Sequence, residues 1–381
     1  MNPARNSYLA VLLLAAMCFD RQASADGLDE FAISTYSAFQ QFPDVSGQVV
    51  VWEDGRGAAS GTEYDIYGKD LGTGVEFSVT TATGSQYRPV ISGDVVVWED
   101  YRNGGADIYA KNLSTGVEFP ISTASRNQRR PQIDGNLIVW QDERNGGSDI
   151  YGFDLLTNME FVVSSAVGDQ FRPAISGDTV IWVDSRNRGV QGLNLSTSTA
   201  YAINNTFTAD FRGPAIDGET VVWMGVRDGV EGLYRTDLTT GDYFLVRAQS
   251  ETSQLIQTPV IEGSTILWGE GEGGAPNLFD IYGEDFTNGN TFFVSNAAGG
   301  QYYPAIDNGL IVWTDGRSNQ NSPNIYGAVL PTIPEPTNLA LVAMLAGWGL
   351  VRRRRLQGCS GSRLARHSYQ SDRKATKPSL P

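Results

Sequence analysis

The sequence predicts an all-β fold: a seven-bladed β-propeller of four-stranded antiparallel blades. Three observations predict it. Seven tryptophans, Trp52, Trp98, Trp140, Trp182, Trp223, Trp268 and Trp313, recur at spacings of 46, 42, 42, 41, 45 and 45 residues. Seven prolines keep step nine residues earlier: Pro43, Pro89, Pro131, Pro173, Pro214, Pro259 and Pro304. Each unit also breaks into short apolar runs separated by Gly, Asn, Asp and Ser. That period and those breaks are the signature of a propeller blade.

One unit, Gln86 to Ser122, justifies the elements in order. Pro89-Val90-Ile91 reads as a short inner strand, with proline at a first position where a missing N–H costs little. Ser92-Gly93-Asp94 turns the chain. Val95-Val96-Val97-Trp98 is apolar without alternation, so both faces are buried, as in a blade stacked between two neighbours. Arg102-Asn103-Gly104-Gly105 makes the second turn. Asp107-Ile108-Tyr109 opens the third strand, Ser114-Thr115-Gly116 turns it, and Val117 to Ile121 is the outer strand. All seven tryptophans are expected in the core, where a large aromatic gains most from burial.

The last unit has only three strands, ending at Asn324 to Val329. Near the start, Glu30-Phe31-Ala32-Ile33-Ser34-Thr35 matches the outer strand Glu118-Phe119-Pro120-Ile121-Ser122-Thr123. The expectation is that the N-terminal strand completes the last blade, leaving no open sheet edge.

The chain is expected to divide into a leader at 1–25, a propeller at 26–329, a linker at 330–338, a short hydrophobic helix at 339–351 and a basic tail at 352–381. Arg5, the apolar run Leu9 to Met17 and the small residues Ala23-Ser24-Ala25 read as a secretory signal peptide. Cys18 offers a lipoprotein alternative, which the bulky Met17 before it disfavours. Between Asp26 and Ile333 there are 40 acids and 17 basic residues, a net charge of −23, whereas the tail from Arg352 carries nine basic residues and one acid. An acidic body repels nucleic acid, which is not an expected partner. The two cysteines (Cys18, Cys359) and the one histidine (His367) lie outside the body, which therefore lacks the commonest general base and zinc ligands.

The units P-x-I-x-G-x-x-V-x-W-x-D-x-R…D-I-Y, as in Pro131 to Tyr151, resemble TolB-type propeller repeats over about 300 residues. The resemblance implies the fold and, because one fold hosts many sites, little about activity. At the other end, Pro334-Glu335-Pro336, an apolar stretch from Leu339 to Val351 and the cluster Arg352, Arg353, Arg354 and Arg355 resemble a PEP-CTERM sorting signal. This resemblance implies an exosortase-type processing enzyme as a partner. It also implies transient insertion of the helix in the inner membrane, a membrane-anchored precursor, and a mature protein at the cell surface or outside the cell. The 26 residues after Arg355 depart from that family, whose members usually end soon after the arginines.

Two sets of residues are candidates for a site. The W-x-D-x-R elements (Asp54/Arg56, Asp100/Arg102, Asp142/Arg144, Asp184/Arg186, Asp315/Arg317) lack the alternating ligands of a calcium loop. They read as ion pairs and turn caps, so no cofactor, calcium included, is expected. The segments leading into the inner strands carry Arg88, Arg130, Arg172 and Arg212 in consecutive blades, with Phe42, Thr258 and Tyr303 at the matching positions. Propeller geometry puts this position near the mouth of the central channel. There the four arginines and Tyr303 are expected to receive an anionic group such as an acidic sugar, against the plainer alternative that each arginine only neutralises a nearby Asp. Long loops at 55–64, 271–279 and 316–323 are expected on the same face. No unit carries an acid pair that stands apart from the repeat. The expectation is therefore an exported propeller that binds protein or polysaccharide without catalysis. The alternatives are a carbohydrate-active enzyme and a purely structural matrix protein.

Overall fold

The computed structural model describes residues 28–331 apart from 58–62, 187, 205–212, 250–252, 256–258, 273–278 and 319–321. The chain divides at Pro331/Thr332, and the second unit lies outside the described residues, as do the leader, Pro334-Glu335-Pro336, the 339–351 stretch and Arg352 to Arg355. Among the described residues no helix is long and apolar enough to cross a membrane.

The protein is a seven-bladed propeller of antiparallel sheets. Blade 1 orders β2 (Gln40–Ser46), β3 (Val49–Asp54), β4 (Asp65–Asp70) and β5 (Val75–Thr80) from the axis outward. Blade 2 repeats this with β6 (Gln86–Ser92), β7 (Val95–Asp100), β8 (Asp107–Asn112) and β9 (Glu118–Ser122). Blade 3 has β10 (Gln128–Asp134), β11 (Leu137–Asp142), β12 (Asp149–Asp154) and β13 (Met159–Ser164). Blade 4 has β14 (Gln170–Ser176), β15 (Thr179–Asp184), β16 (Gly189–Asn194) and β17 (Thr199–Asn204). In blade 5 the strands are β18 (Ala215–Asp217), β19 (Thr220–Arg227), β20 (Val230–Asp237) and β21 (Tyr243–Ala248). In blade 6 two short pieces, β22 (Ser253–Leu255) and β23 (Val260–Glu262), pair with β24 (Thr265–Glu272), followed by β25 (Phe279–Asp285) and β26 (Asn290–Ser295).

Blade 7 closes the ring as the sequence predicts. Its strands β27 (Gln301–Asp307), β28 (Leu310–Asp315) and β29 (Asn324–Val329) are completed by β1 (Glu30–Ser34), which pairs Glu30 with Ala328 and Phe31 with Gly327. The substitution reaches the side chains. Arg317 meets Glu30 at 2.5 Å as Arg102 meets Glu118 at 2.7 Å. Lys69 donates to the Ile33 carbonyl as Lys111 donates to that of Val79.

The W-x-D-x-R…D-I-Y pattern assembles into one side-chain unit in each of blades 1, 2, 3 and 7. Trp140 is fully buried, and its Nε1 donates to Asp142 Oδ2 at 2.8 Å. The same carboxylate accepts from the Arg144 backbone N–H and guanidinium, and that guanidinium lies 4.1 Å over the Tyr151 ring. Trp98–Asp100–Arg102–Tyr109 and Trp313–Asp315–Arg317–Tyr326 repeat the arrangement. The seven tryptophans are all buried. Each interface between blades is one apolar cluster, such as Val97, Ile108, Ile138 and Trp140 between blades 2 and 3.

Around the axis the last side chain of each inner strand locks the next blade. Ser46, Ser92, Asp134, Ser176, Asp217, Glu262 and Asp307 each accept the turn glycine N–H of the following blade at 2.5–3.0 Å, and Asp307 returns to Gly47 to close the circle. These glycines have φ near +55° to +74°, a conformation that glycine adopts without penalty.

One expectation about the inner strands is corrected. Proline does not start them: Pro89 sits in the middle of β6, and the ladder to β7 breaks between Tyr87 and Val90. The same shift occurs in β2, β10, β14 and β27. Proline is tolerated there because a bulge removes it from the ladder.

Candidate functional site at the channel mouth

The bulges create the site. Extending the inner strand past the proline lifts the preceding residue out of the ladder at φ +50° to +55° for Phe42, Arg88, Arg130, Arg172 and Tyr303. A left-handed backbone at five bulky residues is strained, and such strain collects at functional positions. The backbone N–H freed by each bulge needs an acceptor. In blade 2 it is Glu53 from blade 1, whose Oε1 lies 2.7 Å from the Arg88 N. In blade 3 it is Glu99 from blade 2, 2.8 Å from the Arg130 N.

These residues line one cavity of about 410 Å³, formed by Gln41, Phe42, Glu53, Tyr87, Arg88, Glu99, Tyr101, Arg129, Arg130 and Gln141. The site therefore spans blades 1–3 at the end where β2, β6 and β10 begin. Arg88 and Arg130 both line it. Tyr303 lies beside the cavity, stacked on Phe42 with centroids 3.9 Å apart, and the Arg88 guanidinium lies 4.7 Å over the other ring of that stack, Phe42. Arg172 is next in line and acts on Arg130 electrostatically. Arg212 lies outside the described residues, as do the central parts of the three long loops.

The electrostatics are those of an under-neutralised cationic cluster. Burial pushes the Arg130 guanidinium down to about 10, and the positive charges of Arg172 and Arg88 push the same way. Among the described residues Arg129 and Arg130 form no ion pair, and Arg129 Nε is buried without a hydrogen-bond partner. Arg88 reaches Glu99 only at 3.5 Å.

Two carboxylates share the cavity. Glu53 and Glu99 are almost wholly buried. Burial raises Glu53 to about 7 despite the hydrogen bonds from the Arg88 N–H and Gln41 Nε2, and Glu99 adds to the rise. Glu99 is also raised, by burial first. The pair joins two units, one acid from blade 1 and one from blade 2, whereas the expectation from the sequence concerned pairs within a single unit. The residue after each tryptophan is acidic only in blades 1 and 2; elsewhere it is Gln141, Val183, Met224, Gly269 or Thr314. That departure, together with Tyr87 and Arg129 one position before the bulged arginine, is the trace these residues leave in the sequence, and it does not reveal which backbone N–H the acids accept.

The W-x-D-x-R set behaves otherwise. Arg56, Arg102, Arg144, Arg186 and Arg317 each contact the Asp of their own motif at 2.5–2.6 Å. Among the described residues there is no group of three His, Cys, Asp or Glu side chains that could hold a metal ion.

No family model matches the chain, and no curated protein matches it. Solved structures do. An oligogalacturonate lyase from Vibrio parahaemolyticus is 12% identical over 83% of this chain and 98% of its own, with a TM-score of 0.61. A puromycin-hydrolysing peptidase from Mycobacterium tuberculosis is 14% identical over 78% of this chain and 52% of its own, with a TM-score of 0.54. TolB from Acinetobacter baumannii is 18% identical over 55% of each chain, with a TM-score of 0.41. The first two likenesses are of fold, and they correct one expectation. The expectation of a propeller without catalysis does not stand: enzymes share this architecture, and a body without His or Cys does not exclude one.

Proposed function

We propose that this is an exported propeller that captures an acidic macromolecule at its channel mouth. The observation that carries the reading is the arginine cluster. Arg88, Arg129 and Arg130 crowd one cavity with too few carboxylates to neutralise them, in a body that is otherwise strongly acidic. Folding has concentrated positive charge where a bulge exposes it, and an anionic group entering the cavity relieves that repulsion. Export rests on the leader at 1–25 and the sorting signal at 334–355. Calorimetric titration of the purified protein with an acidic oligomer tests the binding. A wild-type protein that binds no polyanion at low salt would remove the reading. Mass spectrometry of the native protein tests the export: loss of the first 25 residues and of the arginine-rich tail is expected.

The Glu53–Glu99 pair favours a second reading, a carbohydrate-active enzyme. A carboxyl group held up to about 7 is part-protonated at neutral pH and suits a general acid, with Glu99 beside it. Release of new chain ends from a bound saccharide distinguishes this reading from capture alone.

A further inference from the structure

Two unsatisfied atoms of opposite kind occur in the same cavity. Arg129 Nε is a buried donor without an acceptor, and Gln141 Oε1 is a buried acceptor without a donor, among the described residues. A buried polar atom left unpaired is costly, and in a native protein it points to a missing partner. A single guest group that both accepts and donates would satisfy the two atoms at once. An ionised carboxylate accepts only, and so satisfies the arginines but not Gln141. A hydroxyl donates as well.

The cavity also offers rings. Tyr87 and Tyr101 line it edge to face at 5.4 Å, and both are half-buried rather than core. Such rings present an apolar face and a polar tip together. The C–H faces of a pyranose match the ring face, and its hydroxyls match the tip.

From the proposal that the mouth binds an acidic macromolecule, on which this step rests, we infer that the ligand is a polyhydroxylated acid of the uronic-acid class, carried in a saccharide chain. Its carboxylate faces Arg88, Arg129 and Arg130. Its ring hydroxyls donate to Gln141 Oε1, and its ring lies against Tyr87 and Tyr101. An acidic peptide supplies the carboxylates and, through its backbone N–H groups, a donor for Gln141, but it brings no hydroxylated ring to lie on the tyrosines. A neutral glycan supplies the hydroxyls and leaves the arginines uncompensated.

Three probes separate these cases: an oligogalacturonate, a poly-L-glutamate of equal charge and a neutral dextran oligomer, each titrated into the full-length protein at low salt. The expected result is that the uronate binds about tenfold or more tighter than either of the others. Gln141→Leu and Tyr87→Leu should each weaken the uronate about fivefold, and Tyr87→Leu should leave poly-glutamate unchanged. Thermal melting shows that each variant is folded, and Gln141→Met, which also lacks the amide acceptor and adds no charge, serves in place of a leucine variant that is not, with the same expectation. If uronate and poly-glutamate bind equally, or if folded Gln141 and Tyr87 variants bind the uronate like the wild type, this inference falls and acidic-macromolecule capture stands. If none of the three binds, both fall.

Discussion

Arginines at the blade interior and arginines at the channel mouth do opposite things in this protein. Arg144 typifies the first group. It lies 2.6 Å from Asp142, reaches Glu160 on the outer strand and covers the Tyr151 ring, and these acids hold its guanidinium firmly charged. Arg130 typifies the second. Its backbone N–H is satisfied by Glu99, whereas its guanidinium is buried beside Arg88 and Arg172 and is pushed down to about 10. The interior arginine is bound by what folding put around it. The mouth arginine has like charges beside it instead, and the proposed anionic ligand would relieve them. On that proposal one residue type serves stability in one place and affinity in another.

Breaking the interior set should give the largest effect. Asp142 is fully buried and accepts from Trp140, from the Arg144 backbone and from its guanidinium. Asp142→Ala leaves the Trp140 indole N–H and the Arg144 backbone N–H without an acceptor, and the guanidinium with Glu160 and Ser122 only, and should cost about 3 kcal/mol in urea unfolding. Arg130→Ala should change stability by less than about 1 kcal/mol, or raise it, because it removes repulsion. Equal losses in the two variants would erase the distinction.

Binding should invert that order. The double variant Arg88→Ala, Arg130→Ala should lose affinity for an acidic oligomer by about 50-fold or more, which calorimetry reads directly. Asp142→Ala, measured where it is still folded, should bind like the wild type. Salt provides a milder version of the same test. Raising sodium chloride from about 50 to about 300 mM should weaken the oligomer several-fold while moving the urea midpoint little, since the oligomer's charges approach through solution whereas the interior pairs are already in direct contact.

The fold was readable because each blade repeats its own chemistry. Trp140, Asp142, Arg144 and Tyr151 form one contact set in the structure, and so they stay in step along the chain. The closing strand was readable for the same reason: Glu30 does for Arg317 what Glu118 does for Arg102. The site was readable only in part. Arg88 and Arg130 stood out as a repeated departure. Glu53 and Glu99 did not, because their role is to accept a backbone N–H from the next blade, and no local pattern announces an acceptor 35 or 31 residues away from its donor. The bulge that frees that N–H was hidden by reading proline as the start of a strand.

Glu53 gives the smallest and most pointed test, since it joins the two regions. The groups that face it are the Arg88 N–H and guanidinium, Gln41 and Glu99. Its carboxyl is raised by burial from an ordinary 4.5 to about 7, so in that window the folded state holds a proton that the unfolded state has lost. Its contribution to stability is therefore greatest below the ordinary value, falls as pH rises through the window and levels off above about 7. Glu53→Gln keeps an acceptor for the Arg88 N–H, and Gln41 can turn its amide to meet the new one. The variant should be more stable than the wild type at pH 8. Its stability should also vary less between pH 4.5 and 7, although Asp44, likewise raised to about 7, retains part of the slope. Protonating Glu53 also removes a negative charge from the mouth. Wild-type affinity for an acidic oligomer should therefore rise as pH falls from about 8 to about 6, and Glu53→Gln should bind tightly at both. A wild-type affinity that is flat across that range would mean that Glu53 stays ionised and that the mouth is less dry than its burial implies.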